Sequence, residues 1–168
     1  MKKILIVICC LFLFSVNVNA AKIVVEAEKY TSITPSMKKV VVRNTNVSNS
    51  AYIETPLRRP HATTETGPGD NGACIYKINI AEPGMYTMWF RVNWYDSCGN
   101  SFFVIVDNKP ATYIESATYQ TWHWVKGLTI SLSAGAHTVR IQNREDGAKL
   151  DQFMLINNSR YIPTRIEK

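Results

Sequence analysis

Glu26 and Glu28 stand two residues apart in an apolar run near the start of the chain. Read as a β-strand, that run puts both carboxylates on one face, where they converge. Two like charges so placed need an explanation, and a bound Ca²⁺ supplies one. This hard cation takes about six to eight oxygen ligands, and Asp151 would add a third carboxylate if the first and last strands are neighbours. Backbone carbonyls would fill the remainder. The competing reading leaves both glutamates in water on an edge strand.

A second constellation is aromatic. Trp94 and Tyr95 end one run, while Tyr119, Trp122 and Trp124 gather around the start of another, with His123 between the tryptophans. A pyranose ring has an apolar C–H face that stacks on an indole or phenol, and neighbouring amides and charges bond its hydroxyls. Packing is the other fate open to these rings: Trp122 and Trp124 share a strand face, and large aromatics are commonly buried.

Groups for catalysis are sparse. The sequence holds no Gly-x-Ser-x-Gly elbow, no His-Glu-x-x-His, no phosphate-cradling glycine loop and no cysteine-rich zinc spacing. Of the three histidines, His61 falls in a long loop, His123 beside tryptophans and His137 in mid-strand, and each reads as structural. Glu54, Asp96, Glu115, Glu145 and Asp146 supply carboxylates, but glycosidic cleavage needs two of them placed across one bond, which spacing does not reveal.

The elements that must position these groups are strands. Helical periodicity is almost absent, and short runs rich in Val, Ile, Tyr, Phe and Trp recur between turn residues. Strands are expected at 22–28, 39–43, 51–54, 73–80, 84–94, 101–107, 111–114, 121–125, 128–132, 136–142 and 149–156. Tyr86, Met88, Phe90, Val92 and Trp94 share one face of their run, and Trp89, Arg91 and Asn93 share the other. Pro83-Gly84, Ala134-Gly135 and Asp146-Gly147 supply turns. The stretch 55–72, rich in Pro, Thr and Gly, is a loop long enough to suggest a purpose.

Residues 1–20 read as an export signal: Lys2 and Lys3, an apolar run from Ile4 to Val16, and small residues ending at Ala20. That run is short of the roughly 20 apolar residues that span a bilayer, so a secreted or periplasmic chain with no membrane span is expected. About 150 residues remain, enough for one domain with its own core. The full-chain net charge of +6 falls to about +4 without Lys2 and Lys3, a mild bias with no basic stripe, which argues against a nucleic-acid partner. Cys74 and Cys98 survive processing, and their spacing leaves a disulfide open.

Several segments, taken in order, resemble a known family. They are Glu26-Ala27-Glu28, Ser50-Ala51-Tyr52-Ile53-Glu54, Pro83-Gly84-x-Tyr86-x-x-Trp89-x-Arg91-Val92, Thr121-Trp122-x-Trp124-Val125, and Asn143-Arg144-Glu145-Asp146-Gly147-Ala148-Lys149-Leu150-Asp151. Together they resemble the calcium-containing β-sandwich carbohydrate-binding modules of families six and thirty-five. The likeness implies an all-β jelly-roll sandwich of two antiparallel sheets over 21–164, a short tail at 165–168, and non-catalytic binding of a polysaccharide or oligosaccharide. It implies a structural Ca²⁺ on Glu26, Glu28 and Asp151, with a backbone carbonyl near Arg43 or Asn44. Sugar would sit between two aromatics, Tyr52 and a residue within 119–122, beside a hydrogen-bonding residue at Lys149. Tyr52, Trp94, Tyr119, Trp122 and Lys149 are therefore the expected ligand-binding residues. Many relatives carry Asn at the position of Lys149. Lysine only donates and adds charge, which turns the expectation toward a carboxylated or sulfated glycan. Such modules usually accompany polysaccharide-degrading enzymes, which are the expected protein partners. The other readings are an adhesion sandwich without a sugar pocket and a small glycoside hydrolase or lyase.

Overall fold

The computed structural model describes residues 20–43, 45–57 and 71–168. The expected export signal, apart from Ala20, lies outside the described residues, as do Asn44, His61 and most of the long loop. Among the described residues no helix is long and apolar enough to cross a membrane.

Eleven strands form among the described residues: β1 (Lys22–Glu26), β2 (Ser32–Ile33), β3 (Lys38–Val41), β4 (Ala51–Glu54), β5 (Ala73–Ile80), β6 (Gly84–Asn93), β7 (Ser101–Val106), β8 (Thr112–Glu115), β9 (His123–Leu132), β10 (Gly135–Asn143) and β11 (Lys149–Ile156). A 3-10 turn over Ser48–Ser50 leads into β4. One sheet runs β3-β4-β11-β6-β9, with β1 also on β11; the other runs β2-β5-β10-β7-β8. Every strand pairing is antiparallel. The jelly-roll sandwich expected from the sequence is the fold observed.

Alternation decides which side chains meet between the sheets. Tyr86, Met88, Phe90 and Val92 of β6 are fully buried, as are Tyr76 of β5 and Phe153 of β11. Tyr76 meets Phe153 edge-on at 4.9 Å, and Phe90 meets Phe102 at 5.6 Å. Each such ring contributes about 1.5–3 kcal/mol by leaving water. The Tyr76 hydroxyl, which would be costly to bury unpaired, donates to the Ala27 carbonyl at 2.7 Å. Cys74 lies among these residues without a disulfide, and burial pushes its thiol up to about 12, so it packs as a small apolar group. Cys98 is likewise a free thiol.

Three local departures shape the site. The two runs expected at 121–125 and 128–132 are one strand, β9, because an irregularity opposite Thr87 and Trp89 absorbs the change of register at Gly127. A side chain at Gly127 would strike Phe90 at 2.5 Å and Ile114 at 2.8 Å, which is why the position carries none. The first strand ends at Glu26, so Glu28 lies within a turn closed by the Lys29 N–H on the Glu26 carbonyl at 3.0 Å. A bulge in β11 between Leu150 and Gln152 aims Asp151 at the turn before β4.

The tail is more than an appendage. Glu167 is buried, and its backbone exchanges two 3.0 Å hydrogen bonds with the side chain of Gln152. Its carboxylate takes Lys22 at 3.0 Å and the Tyr161 hydroxyl at 2.7 Å, while the Arg165 carbonyl accepts from the Trp124 indole at 2.8 Å. The expected boundary at 164 therefore cuts through an ordered strap packed on the outer face of the larger sheet.

Candidate binding cleft

A cleft of about 420 Å³ opens on the outer face of the β3-β4-β11-β6-β9 sheet, lined by Asn46, Arg91, Asn93, Gln120, Thr121 and Trp122. It is filled by residues from separate parts of the chain. Arg91 and Asn93 come from the outward positions of β6, Asn46 from the turn before β4, and the last three from the loop entering β9.

That loop is anchored by Trp94. Expected to offer its face to a ligand, Trp94 is instead 0% exposed and packs on Phe102 at 5.4 Å. Burial follows from alternation: Trp94 continues the inward series of Tyr86, Met88, Phe90 and Val92. Its indole N–H donates to the Ser116 hydroxyl at 2.8 Å, and Ser116 lies 2.8 Å from Nε2 of His123. The second nitrogen of His123 meets the Thr121 carbonyl at 3.0 Å, and the Gln120 N–H donates to the Trp94 carbonyl at 2.7 Å. His123 thus donates through Nδ1 to the Thr121 carbonyl, and the relay pins the loop that carries Trp122.

Three of the expected binding residues converge. Tyr52 on β4 and Trp122 lie with ring centroids 5.5 Å apart at 62°. Lys149, at the start of β11 and opposite both Glu54 and Asn93, holds its ammonium 5.8 Å from the Tyr52 ring. The two rings make a corner. A saccharide stacks at roughly 4 Å from each aromatic face, so the pair leaves no slot between them and offers side-by-side platforms. Burial, then the nearby charge of Glu54, raises the Tyr52 phenol above its usual range, so it stays a neutral hydrogen-bonding group. Tyr119 is 38% exposed, outside the residues lining the cleft.

Arg91 is the residue sequence reasoning passed over, although its place on the polar side of an otherwise apolar strand was visible. It is 8% exposed, donates through Nη1 to the Asn46 carbonyl at 3.1 Å and to Asp151 Oδ2, and lies 5.5 Å over the Trp122 ring. Burial pushes Asp151 up to about 6, with the Arg91 guanidinium and the Ser48 N–H pulling the other way, so it is ionised at neutral pH. A cation against an indole face and a buried carboxylate fixes the floor of the cleft.

The carboxylates meet around the same turn. The Ser48 N–H donates to Asp151 Oδ1 at 2.9 Å, the Ser48 hydroxyl to Glu26 Oε1 at 2.9 Å, and the Asn49 amide to Glu28 Oε1 at 3.4 Å. The remaining oxygens, Glu26 Oε2 and Glu28 Oε2, are buried without a hydrogen-bond partner. Such orphaned acceptors suit a cation, and both glutamates fit a hard-metal donor set. Asp151 differs from expectation: its two carboxylate oxygens face Ser48 and Arg91. Among the described residues no group of three or more His, Cys, Asp or Glu side chains is assembled as a metal cage.

Elsewhere, His137 resembles a catalytic arrangement in outline only. Nδ1 lies 2.8 Å from Asp107, and Nε2 lies 3.0 Å from the Ser133 carbonyl and 3.5 Å from its hydroxyl. Both nitrogens face acceptors, an arrangement that favours the doubly donating imidazolium and ties β10 to the turn after β7. Asp107, then the Ser133 carbonyl, raises the His137 pKa. For Asp107, burial pushes upward, but His137 and the Thr138 N–H outweigh it and hold the carboxyl below its usual range. A raised imidazole stabilises the fold fully below its unfolded value of about 6.5 and loses that contribution as pH rises through the folded value; a lowered carboxyl contributes above about 3.9. Wild type is therefore expected to exceed His137→Gln in melting temperature most between about pH 4 and 6.5, with the gap narrowing at higher pH. A gap constant from pH 5 to 9 would contradict this.

This architecture, two antiparallel sheets with an aromatic and polar cleft on one face, defines a β-sandwich of the type found in carbohydrate-binding modules. The chain is similar in structure to the family 35 carbohydrate binding module from Clostridium thermocellum, with a TM-score of 0.59 and 19% identity over 80% of this chain and 97% of that one. The C-terminal CBM6 of LamC, a marine laminarinase from Zobellia galactanivorans, matches with a TM-score of 0.59 and 16% identity over 80% and 98%. Podospora anserina GH26-CBM35 β-(1,4)-mannanase matches with a TM-score of 0.63 and 16% identity, over 87% of this chain and 30% of the enzyme. At these identities the likeness is one of fold. No protein-family profile matches the chain. In sequence it is 29% identical, across 145 aligned positions, to Uncharacterized protein P23 of Formosa agariphila, and the alignment takes in 70% of this chain and 35% of that protein. The chain thus spans about a third of the length of that curated relative.

Proposed function

We propose that this chain is a non-catalytic, exported carbohydrate-binding module directed at an acidic polysaccharide. The observation that carries the reading is the convergence of Tyr52, Trp122 and Lys149, from β4, the loop before β9 and the start of β11, beside a polar cleft. The rings supply apolar platforms, Asn93 and Gln120 supply amides for hydroxyls, and Lys149 supplies charge. The fold shared with modules of families 6 and 35 supports it. Polysaccharide-degrading enzymes, such as the mannanase and laminarinase that hold two of the similar domains, are the proposed partners.

Calorimetry against neutral β-mannan and laminarin oligosaccharides, uronate oligosaccharides and sulfated galactans tests the reading. Binding with preference for an acidic member is expected. Silence across the whole panel defeats the proposal and leaves an adhesion role for the sandwich.

Glu26 and Glu28 are further proposed to hold a structural Ca²⁺, supported by their two buried, unpartnered oxygens. When bound, the ion would neutralise the paired carboxylates and tie the end of β1 to the Ser48–Ser50 turn. An ion bound only by the folded state adds about 2.7 kcal/mol at a hundredfold excess over its Kd. Chelator is therefore expected to lower the melting temperature by roughly 5–10 °C for a domain of this size. Superimposable melts in chelator and in millimolar Ca²⁺ would remove the ion from the account.

A further inference from the structure

Arginine carries five N–H donors in a rigid planar fork. In Arg91 the Nη1 donors are spent inside the protein, on Asp151 Oδ2 and the Asn46 carbonyl. The other edge, Nε and Nη2, makes no hydrogen bond to any described residue and is absent from the buried unpartnered atoms. Arg91 lines the cleft, so a guanidinium with donors unspent inside the protein stands at its wall. The side chain cannot swing away: Asp151, 0% exposed, holds it from behind, and the Trp122 ring lies 5.5 Å from its central carbon.

A guanidinium braced on one edge and open on the other is prepared for an oxyanion, since two parallel N–H groups match the spacing of two oxygens on one carboxylate or sulfate. We infer that Arg91 is the anion-recognising residue of the cleft, taking the carboxylate or sulfate substituent of a glycan whose ring rests against Trp122 and Tyr52, with Asp151 as the residue that positions it. The inference rests on the carbohydrate-binding reading above and deepens it. Lys149 is then an outer charge that draws the anion in, and Arg91 the inner group that sets its orientation. Neutral amides on Asn93 and Gln120 remain for the hydroxyls beside it.

The test uses the mature chain and three probes: oligogalacturonate, a sulfated galacto-oligosaccharide and neutral galacto-oligosaccharide. Arg91→Lys keeps the charge toward Asp151 but removes the fork. It is expected to weaken the acidic probe that wild type prefers by tenfold or more, and by a clearly larger factor than it weakens the neutral probe. Whichever acidic probe shows the loss identifies carboxylate or sulfate. Since Arg91 is buried, each variant is melted first. If Arg91→Lys does not fold, the decision passes to wild type, where the arginine Nε–H resonance of Arg91 should shift with an acidic probe and stay fixed with the neutral one. Unchanged acidic affinity in a folded Arg91→Lys, or an unmoved Nε–H signal at saturation, overturns the assignment while leaving carbohydrate binding intact. No binding of any of the three probes by wild type overturns the assignment, and silence across the wider glycan panel named above sinks carbohydrate binding with it.

Discussion

Trp122→Ala is expected to abolish measurable glycan binding and leave the melting temperature within a few degrees of wild type, whereas Trp94→Ala is expected to do the reverse damage, lowering the melting temperature by roughly 10 °C or more. The two tryptophans differ in where their surface goes. Trp122 is half-buried, touching Tyr52 and Arg91 at the rim, so its removal deletes a stacking platform and the wall beside the guanidinium. Aromatic anchors of this kind commonly carry 2 kcal/mol or more of a binding free energy, about thirtyfold in Kd. Trp94 is sealed between the sheets and also anchors the loop through Ser116. Truncating so large a core side chain costs about 3–5 kcal/mol, a large share of a typical domain's 5–15 kcal/mol. Calorimetric binding and thermal melts of both variants check the pair. A Trp122→Ala protein that binds like wild type would remove the cleft from consideration, and a Trp94→Ala protein with a native melt would contradict the burial on which the loop depends.

Asp151→Ala carries the second large effect. Its carboxylate faces Arg91 and the Ser48 N–H in a site without solvent, so truncation strands a buried cation and a buried donor together. Breaking one side of such a pair costs about 3–5 kcal/mol. For a domain of this size that is roughly a 10 °C fall in melting temperature. Replacing both partners tests whether the loss belongs to the pair. Arg91→Met with Asp151→Leu removes both charges, and stability is expected to recover by 1 kcal/mol or more relative to the sum of the single changes. The preference for an acidic glycan should be lost, because the cleft then has no guanidinium. Additive single and double variants, within about 0.5 kcal/mol, would show that the two groups act independently.

Much of this arrangement was legible in residue order. The inward series of β6 was correct through Trp94, and the structure follows that periodicity where the expectation of an exposed Trp94 set it aside. Tyr52, Trp122 and Lys149, named from the family resemblance, lie together, with the two rings in edge contact and no slot between them. The role of Arg91 was harder to see, since a lone arginine in a strand reads as solvated surface until its neighbours are known. The partner that changes its meaning, Asp151, lies sixty positions away. Likewise the tail from 157 onward, poor in apolar residues, gave no sign that the backbone of Glu167 would dock on Gln152.

Alternating apolar residues and well-placed turns were enough to determine an all-β sandwich, because burying one face of each strand leaves few other solutions. What only the tertiary structure decided is where the polar groups point. A strand shifted by one residue exchanges its faces, and the bulge at Asp151 makes that kind of local exchange in β11. It aims that carboxylate at Arg91 and the Ser48 N–H. Register and bulges arise from contacts distant in sequence, so the partner of each charge was settled by the packed sheets.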